Sequence, residues 1–342
     1  KTRREPEEFI SGPIDLPPLH DFQVEVLERI QNLIASGTGR RRAVVSLPTG
    51  GGKTRVTVEA GVRFVLEPKG NQRSVLWIAQ TDELCEQAVQ AFRQVWINLG
   101  ARNTDLRIVR LWSGNPNPAI QEPEKPVVVV ASIQTLNSRM DSDGLSWLRN
   151  PGLVVVDECH HAITPSYTNL LRFLDAMPQA GNAPPRDEPP ILGLTATPVR
   201  QDDEESQRLA KRFDQRWLPT GQSDLHRHLR EQGVLAEVNS EALDSGEGLT
   251  DEEIARMAAI PEPWDDLVIQ SFLETVNQRL GRSAPRNEEI IECIRNAAER
   301  SILLFANSVS HAEELAARLN LLRIPAAAVS GETPRSARRF FL

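Results

Sequence analysis

Pro48-Thr49-Gly50-Gly51-Gly52-Lys53-Thr54 is the stretch on which the reading of this chain turns. Ahead of it runs Arg42-Ala43-Val44-Val45-Ser46-Leu47, an apolar stretch with the length of a buried strand. Behind it Arg55-Val56-Thr57-Val58-Glu59-Ala60 opens a helix. Strand, glycine loop and helix in that order make a phosphate cradle. Gly50, Gly51 and Gly52, with Thr49 beside them, let the backbone turn tightly and aim amide N–H groups at an anion. The helix start adds partial positive charge. Lys53 can reach the outer phosphates, and the Thr54 hydroxyl can hold Mg²⁺. The usual eight-residue pattern begins with Gly; Leu47 stands there instead.

Outward from the loop, apolar runs of strand length recur at 74–79, 106–111, 127–131, 153–156 and 191–194. Amphipathic stretches such as 83–99, and a helix opening after Ser132, lie between them. Regular alternation of this kind predicts an α/β fold, a parallel sheet with helices on both faces. Polar groups fall repeatedly at the C-terminal ends of the strands, the edge where open α/β sheets bind ligands. Residues 1–20, with Pro6, Pro13, Pro17 and Pro18, read as an extended lead-in to a helix carrying Val24, Leu27, Ile30 and Ile34 on its apolar face, with Asp21 as N-cap. Arg40-Arg41-Arg42 reads as a solvated edge. Residues 177–190, rich in Pro, Gly and Asn, read as a loop with no assigned role.

Beyond the expected nucleotide-binding lobe at 21–200 the character changes. Helical patterns at 204–213, 224–231, 251–259, 267–280 and 287–298, with 233–238 as a candidate strand, suggest a helical linker or insertion over 201–300. An α/β pattern restarts with strands at 301–306 and 325–329 around a helix at 309–319. It is the expected start of a second, truncated lobe over 301–342. The chain opens on Lys1 rather than Met, and reads as a fragment or a processed product.

The chain has 342 residues, 40% apolar and 25% charged, a globular composition without a membrane-length apolar run or a secretory leader. Cys85, Cys159 and Cys293 are too scattered for a disulfide framework or a zinc site, which suits a cytoplasmic location. The net charge of −8 argues at first against nucleic acid, but residues 201–300 alone hold 12 Lys/Arg against 22 Asp/Glu. The rest of the chain is therefore slightly basic, and local patches decide nucleic-acid contact.

Asp157-Glu158-Cys159-His160 follows the run 153–156. An Asp at the end of a buried strand can sit beside Thr54 and share its Mg²⁺, and Glu158 can orient or deprotonate an attacking water. Without the upstream loop these residues would read equally well as a solvated acidic pair. A metal site of Cys159, His160 and His161 is disfavoured, since adjacent residues on a turn rarely converge on one ion. Thr195-Ala196-Thr197 ends the last strand of the first lobe, where its hydroxyls either reach the same cleft or serve as local caps.

In family order these segments resemble a superfamily-2 helicase of the DEAD/DEAH type, with a RecA-like motor. Residues 48–54 resemble motif I, 155–161 motif II as a DECH box, 192–200 motif III and 301–319 motif IV; 83–87 resemble motif Ia. The branch with restriction-enzyme motor subunits and XPB-type helicases is the most similar. The resemblance implies ATP and Mg²⁺ as cofactors and adenine reading by Gln23. It also implies coupling through His160, Thr195 and Thr197, and strand contacts by Thr81, Gly114, Ser132 and Gln134. Gln80 and Asp82 depart from motif Ia, and motifs V and VI have no counterpart, so this stretch is expected to bind ATP and hydrolyse it slowly. The expected function is an ATP-dependent helicase or translocase, on DNA in preference to RNA. The alternatives are a nucleic-acid-sensing ATPase switch without unwinding, and a docking module that uses the acidic 201–300 segment to bind a protein.

Overall fold

The computed structural model describes residues 7–10, 16–36, 39–68, 74–100, 104–118, 125–140, 142–174, 176, 188–196, 204–219, 225–231, 233–236, 239–242, 248–260, 266–299, 301–334 and 337. They form two compact units, Lys1–Glu237 and Val238–Leu342.

The first unit is built on a sheet whose strands lie in the order β1 (Glu7–Ile10), β4 (Leu106–Leu111), β5 (Val127–Ser132), β3 (Ser74–Ala79), β6 (Leu153–Val156), β7 (Ile191–Thr195), β2 (Arg42–Ser46), β8 (Trp217–Leu218). Every pairing is parallel except β1 with β4. Successive side chains on a strand point to opposite faces, and here both faces are covered. Ala43, Val45, Val75, Trp77, Val128 and Val155 join one core cluster with the helices α1 (Asp21–Ala35), α2 (Lys53–Gly61) and α3 (Asp82–Leu99). Val44, Leu76, Ile78, Val129, Val154 and Val156 join the other, with α4 (Ile133–Arg139), α5 (Pro165–Phe173) and α6 (Glu204–Arg212). Burial on both sides is why these strands read as unbroken apolar runs.

Several local expectations shift. The buried face of α1 is Phe22, Val26, Ile30 and Leu33; Leu27 and Ile34 pack on the same core half-buried and Val24 is 39% exposed, so the apolar stripe is turned by about a quarter turn from the one predicted. The N-cap is His20, in a capping box with Gln23, and Asp21 is the first helical residue. Part of the lead-in is a strand, β1, and α5, β8 and the turns of 3₁₀ helix at Asp143–Arg149 and Cys159–Ile163 were not foreseen. The first unit also runs past residue 200. The turn Cys159–Ile163 packs on α6, β8 completes the sheet, and Leu229 of α7 (Leu225–Glu231) is fully buried in the core. The described part of the candidate strand 233–238 is a turn from which Val234 and Leu235 pack on that core.

Arg40, Arg41 and Arg42 are not simply a solvated edge. Arg42 forms a bidentate, buried pair with Glu188 (Nε–Oε1 2.8 Å, Nη2–Oε2 2.6 Å) and reaches the carbonyls of Ala176 and Arg212. Arg41 bonds the Glu188 carbonyl, and Arg40 pairs with Asp214. Glu188 thus pins the approach to β7 against the start of β2. Residues 177–187 of the predicted loop lie outside the described residues.

The second unit contains α8 (Asp251–Ala258), α9 (Asp266–Gly281), α10 (Ala284–Asn296) and α11 (Val309–Leu321). Its small core holds Ile291, Leu315 and Leu319. The strands expected at 301–306 and 325–329 do not form among the described residues. Parallel strands need a partner for their backbone groups; without one, Leu303 and Phe305 stand 67% and 87% exposed.

Candidate active site

The loop after β2 is the glycine turn expected to cradle phosphate. Gly50 and Gly52 have φ of 85° and 80°, and Gly52 is the residue from which α2 starts. A Cβ at Gly52 would also stand 2.3 Å from the Gln23 amide nitrogen, so this position needs glycine for its conformation and for space. Gly51 N–H closes the turn on the Pro48 carbonyl at 2.9 Å. Leu47, in place of the usual Gly, is fully buried in the core under the loop and leaves the cradle clear. Gln23 is fixed at both ends of its amide. Its Oε1 accepts from His20 N–H (3.0 Å), and its Nε2 donates to the Gly51 carbonyl (3.1 Å). About 330 Å³ of open space is lined by Pro48, Gly50, Gly52, Lys53, Thr54 and Arg55 with Ala91, Gln94 and Val95 of α3.

Motif II faces the same sheet edge. Asp157 follows β6, which is separated from β2 by β7 alone. Asp157 is buried, and its Oδ1 accepts from the Glu158 N–H at 3.1 Å. Burial and the neighbouring Glu158 push its carboxyl up to about 6, against the pull of the Glu158 N–H, of the Lys53 ammonium and of the Trp77 indole. Lys53 therefore stands close enough to act on Asp157. Glu158 sits in the left-handed region (φ 49°, ψ 56°), which costs a non-glycine residue about 1 kcal/mol or more. Its carboxylate lies beside His160, with Nδ1–Oε2 3.4 Å. Under this turn Gly193 of β7 is needed for close packing, since a Cβ there would meet Cys159 and Phe213 at 2.8 Å.

A divalent cation fits these residues. Asp157 and Thr54 are hard oxygen donors, and a buried carboxylate whose charge is under-compensated is relieved by a cation. Among the described residues no three His, Cys, Asp or Glu side chains gather in a metal-binding group. Magnesium suits such a sparse site, because it takes most of its ligands from phosphate and water.

Thr195 ends β7 paired with Ser46 and is fully buried between the two motifs; Thr197 lies outside the described residues. The candidate strand contacts gather on the other half of the edge, past β3, β4 and β5. Thr81 caps α3, accepting from Leu84 N–H at 3.3 Å, and is exposed. Gly114 (φ 76°) and Gln134 are exposed. Ser132 is buried, and its hydroxyl caps α4 through Thr135. Asp82, the departure from motif Ia, accepts a bond from the Ser113 hydroxyl.

Residues 17–200 match the family described as "Type III restriction enzyme, res subunit", and the chain belongs to that family. It is 28% identical over 190 residues to "Putative ATP-dependent helicase IRC3" of Saccharomyces cerevisiae, covering 54% of this chain and 24% of that protein. It is 27% identical over 335 residues to "Putative mitochondrial ATP-dependent helicase irc3" of Schizosaccharomyces pombe, covering 94% and 46%. With "Dicer-like protein 2-1" of Aspergillus niger it shares 26% over 196 residues, 56% of this chain and 13% of that one. The chain thus spans less than half the length of these relatives. Among solved structures, the UvsW helicase of bacteriophage T4 is 20% identical with a TM-score of 0.39, over 58% of this chain and 60% of that one. No helix among the described residues is long and apolar enough to cross a membrane.

Proposed function

We propose that this chain carries the nucleotide-binding part of an ATP-dependent nucleic-acid helicase or translocase. One observation carries the reading: the glycine cradle after β2 and the Asp157–Glu158 pair after β6 open on one sheet edge, with the Lys53 charge acting on Asp157. Family membership and relatives named as ATP-dependent helicases support it.

In this reading the loop N–H groups and Lys53 grip the triphosphate, and Gln23 props the loop from below while its end of the site reads the base. Thr54 and Asp157 hold Mg²⁺, which when bound neutralises charge on the transferring phosphoryl group. Glu158 orients a water and draws off its proton. His160, in contact with Glu158, and Thr195 at the end of β7, with Thr197 two residues on in the sequence, carry the state of the nucleotide toward the strand-binding half of the edge. There Thr81, Gly114 and Gln134 contact the nucleic-acid backbone, and Ser132 acts by holding α4 in place. DNA is the preferred substrate, and the cytoplasm the proposed compartment.

In the complete protein, Glu158→Gln is expected to bind ATP with unchanged affinity and to lose hydrolysis by at least about a hundredfold. Unchanged hydrolysis would remove Glu158 from the role given to it. Strand displacement and translocation assays on the same protein separate a motor from an ATPase switch.

A further inference from the structure

We propose that Trp77 is a positioning residue for Asp157, its indole N–H held ready to bond the carboxylate that takes the divalent cation. The placement follows from the sheet. Trp77 lies opposite Val155 across the β3–β6 pairing, and Asp157 N–H bonds the Ile78 carbonyl at 2.8 Å. Side chains two apart on a strand share a face, so Asp157 stands on the face of Val155 and Trp77, one step toward the ligand edge. The indole is wholly buried and packs edge-on against Phe92, ring centroids 5.6 Å apart, which fixes its direction.

Its Nε1 is buried and closes no hydrogen bond of ordinary geometry with any described residue. From the other face, the Tyr167 hydroxyl is equally buried and equally open, with Gln80 beside it and Asp157 near. On the Asp157 face, the open donor is the Trp77 indole. A buried donor left unbonded costs about 1–3 kcal/mol, and an aliphatic side chain would fill β3 without that cost. The arrangement makes sense if a later state closes the bond. A carboxylate that gives one oxygen to a cation is held in place by donors to the rest of the group. The Glu158 N–H is one such donor and the Trp77 N–H is the other.

The inference rests on Asp157 being a cation ligand, and the experiment separates the two. Calorimetric titration of Mn²⁺ into the ADP-bound chain is compared for wild type, Asp157→Asn, Trp77→Phe, a chain with β-(3-benzothienyl)alanine in place of Trp77, and Trp96→Phe. The benzothienyl side chain keeps the bicyclic shape and lacks the N–H. Trp96 is a second buried indole with an open Nε1, at the far end of α3 beside Gly100. Both replacements at position 77 are expected to weaken Mn²⁺ binding about three- to tenfold, with ADP affinity in the absence of metal unchanged and Trp96→Phe indistinguishable from wild type. Wild-type Mn²⁺ affinity in the benzothienyl chain, or an equal loss in Trp96→Phe, overturns the proposal. Should Trp77→Phe fail to fold, the benzothienyl chain decides alone. Undiminished Mn²⁺ binding in Asp157→Asn would instead bring down the cation site, and this inference with it.

Discussion

Asp157 is a buried carboxylate whose surroundings disfavour its charge. Burial and Glu158 hold its carboxyl at about 6, above the ordinary 3.8, so at neutral pH the empty protein keeps a charge that its surroundings disfavour. A shift of about two pH units corresponds to about 3 kcal/mol between protonation states. Asp157→Asn keeps the shape and drops the charge. It is expected to raise the melting temperature in metal-free buffer at pH 7.5, by a gain of about 1–3 kcal/mol, and to abolish the stabilisation that Mg²⁺ and ADP give together. A lower melting temperature for the apo variant would show that the carboxylate is better compensated than its surroundings indicate. Glu158 tells the same story through its backbone: a left-handed conformation in a non-glycine residue persists where the surrounding structure holds it.

At the scale of elements, the sheet is held shut by a polar clasp as well as by its core. The Arg42–Glu188 pair joins the start of β2 to the residues leading into β7, far from the ligand edge. Removing one partner of a buried pair leaves the other charge unpaired, a loss of about 3–5 kcal/mol. Glu188→Ala should therefore lower the unfolding free energy of the first unit, read from urea titration, by that amount. Arg40→Ala, which breaks the exposed pair with Asp214, should cost under about 1 kcal/mol. Equal effects of the two would mean that the clasp does not bear on stability. If β2 and β7 loosen, Ser46 and Thr195 separate, and the phosphate loop loses its register with the rest of the edge.

At the scale of the whole molecule, the two units should answer acid in opposite directions. In the second, buried His311 accepts from the Asn307 N–H at Nδ1 and bonds Asn287 Oδ1 through Nε2, an arrangement that requires the neutral ring. Burial and nearby Arg286 push its pKa below the ordinary 6.5, with Glu314 opposing. The stability this group contributes is complete above its ordinary 6.5 and is lost as pH falls through the lower folded value. For Asp157 in the first unit the shift is upward, so its contribution is complete below 3.8 and is lost as pH rises through about 6. Hydrogen exchange followed between pH 7 and pH 5 should show protection falling around His311 and α10 while it holds or rises around β6. His311→Gln should flatten the response of the second unit alone; an unaltered response would assign it to another group.

The sequence by itself determined the strands at 74–79, 106–111 and 153–156 to the residue, the helices on both faces and the glycine turn between β2 and α2. Those features are local: an apolar run of strand length, a helical period and a glycine turn need no knowledge of what lies across from them. Tertiary structure alone decided which face of α1 is buried, because the stripe of Phe22, Val26, Ile30 and Leu33 differs from its neighbour only in what packs against it. It decided that Arg42 meets Glu188, 146 residues away, and that 301–306 form no strand where no described partner stands beside them. It decided, too, that Trp77 stands opposite Val155, on the face that leads to Asp157. That placement depends on the register of β3 against β6, and register is a relation between strands that neither strand's composition encodes.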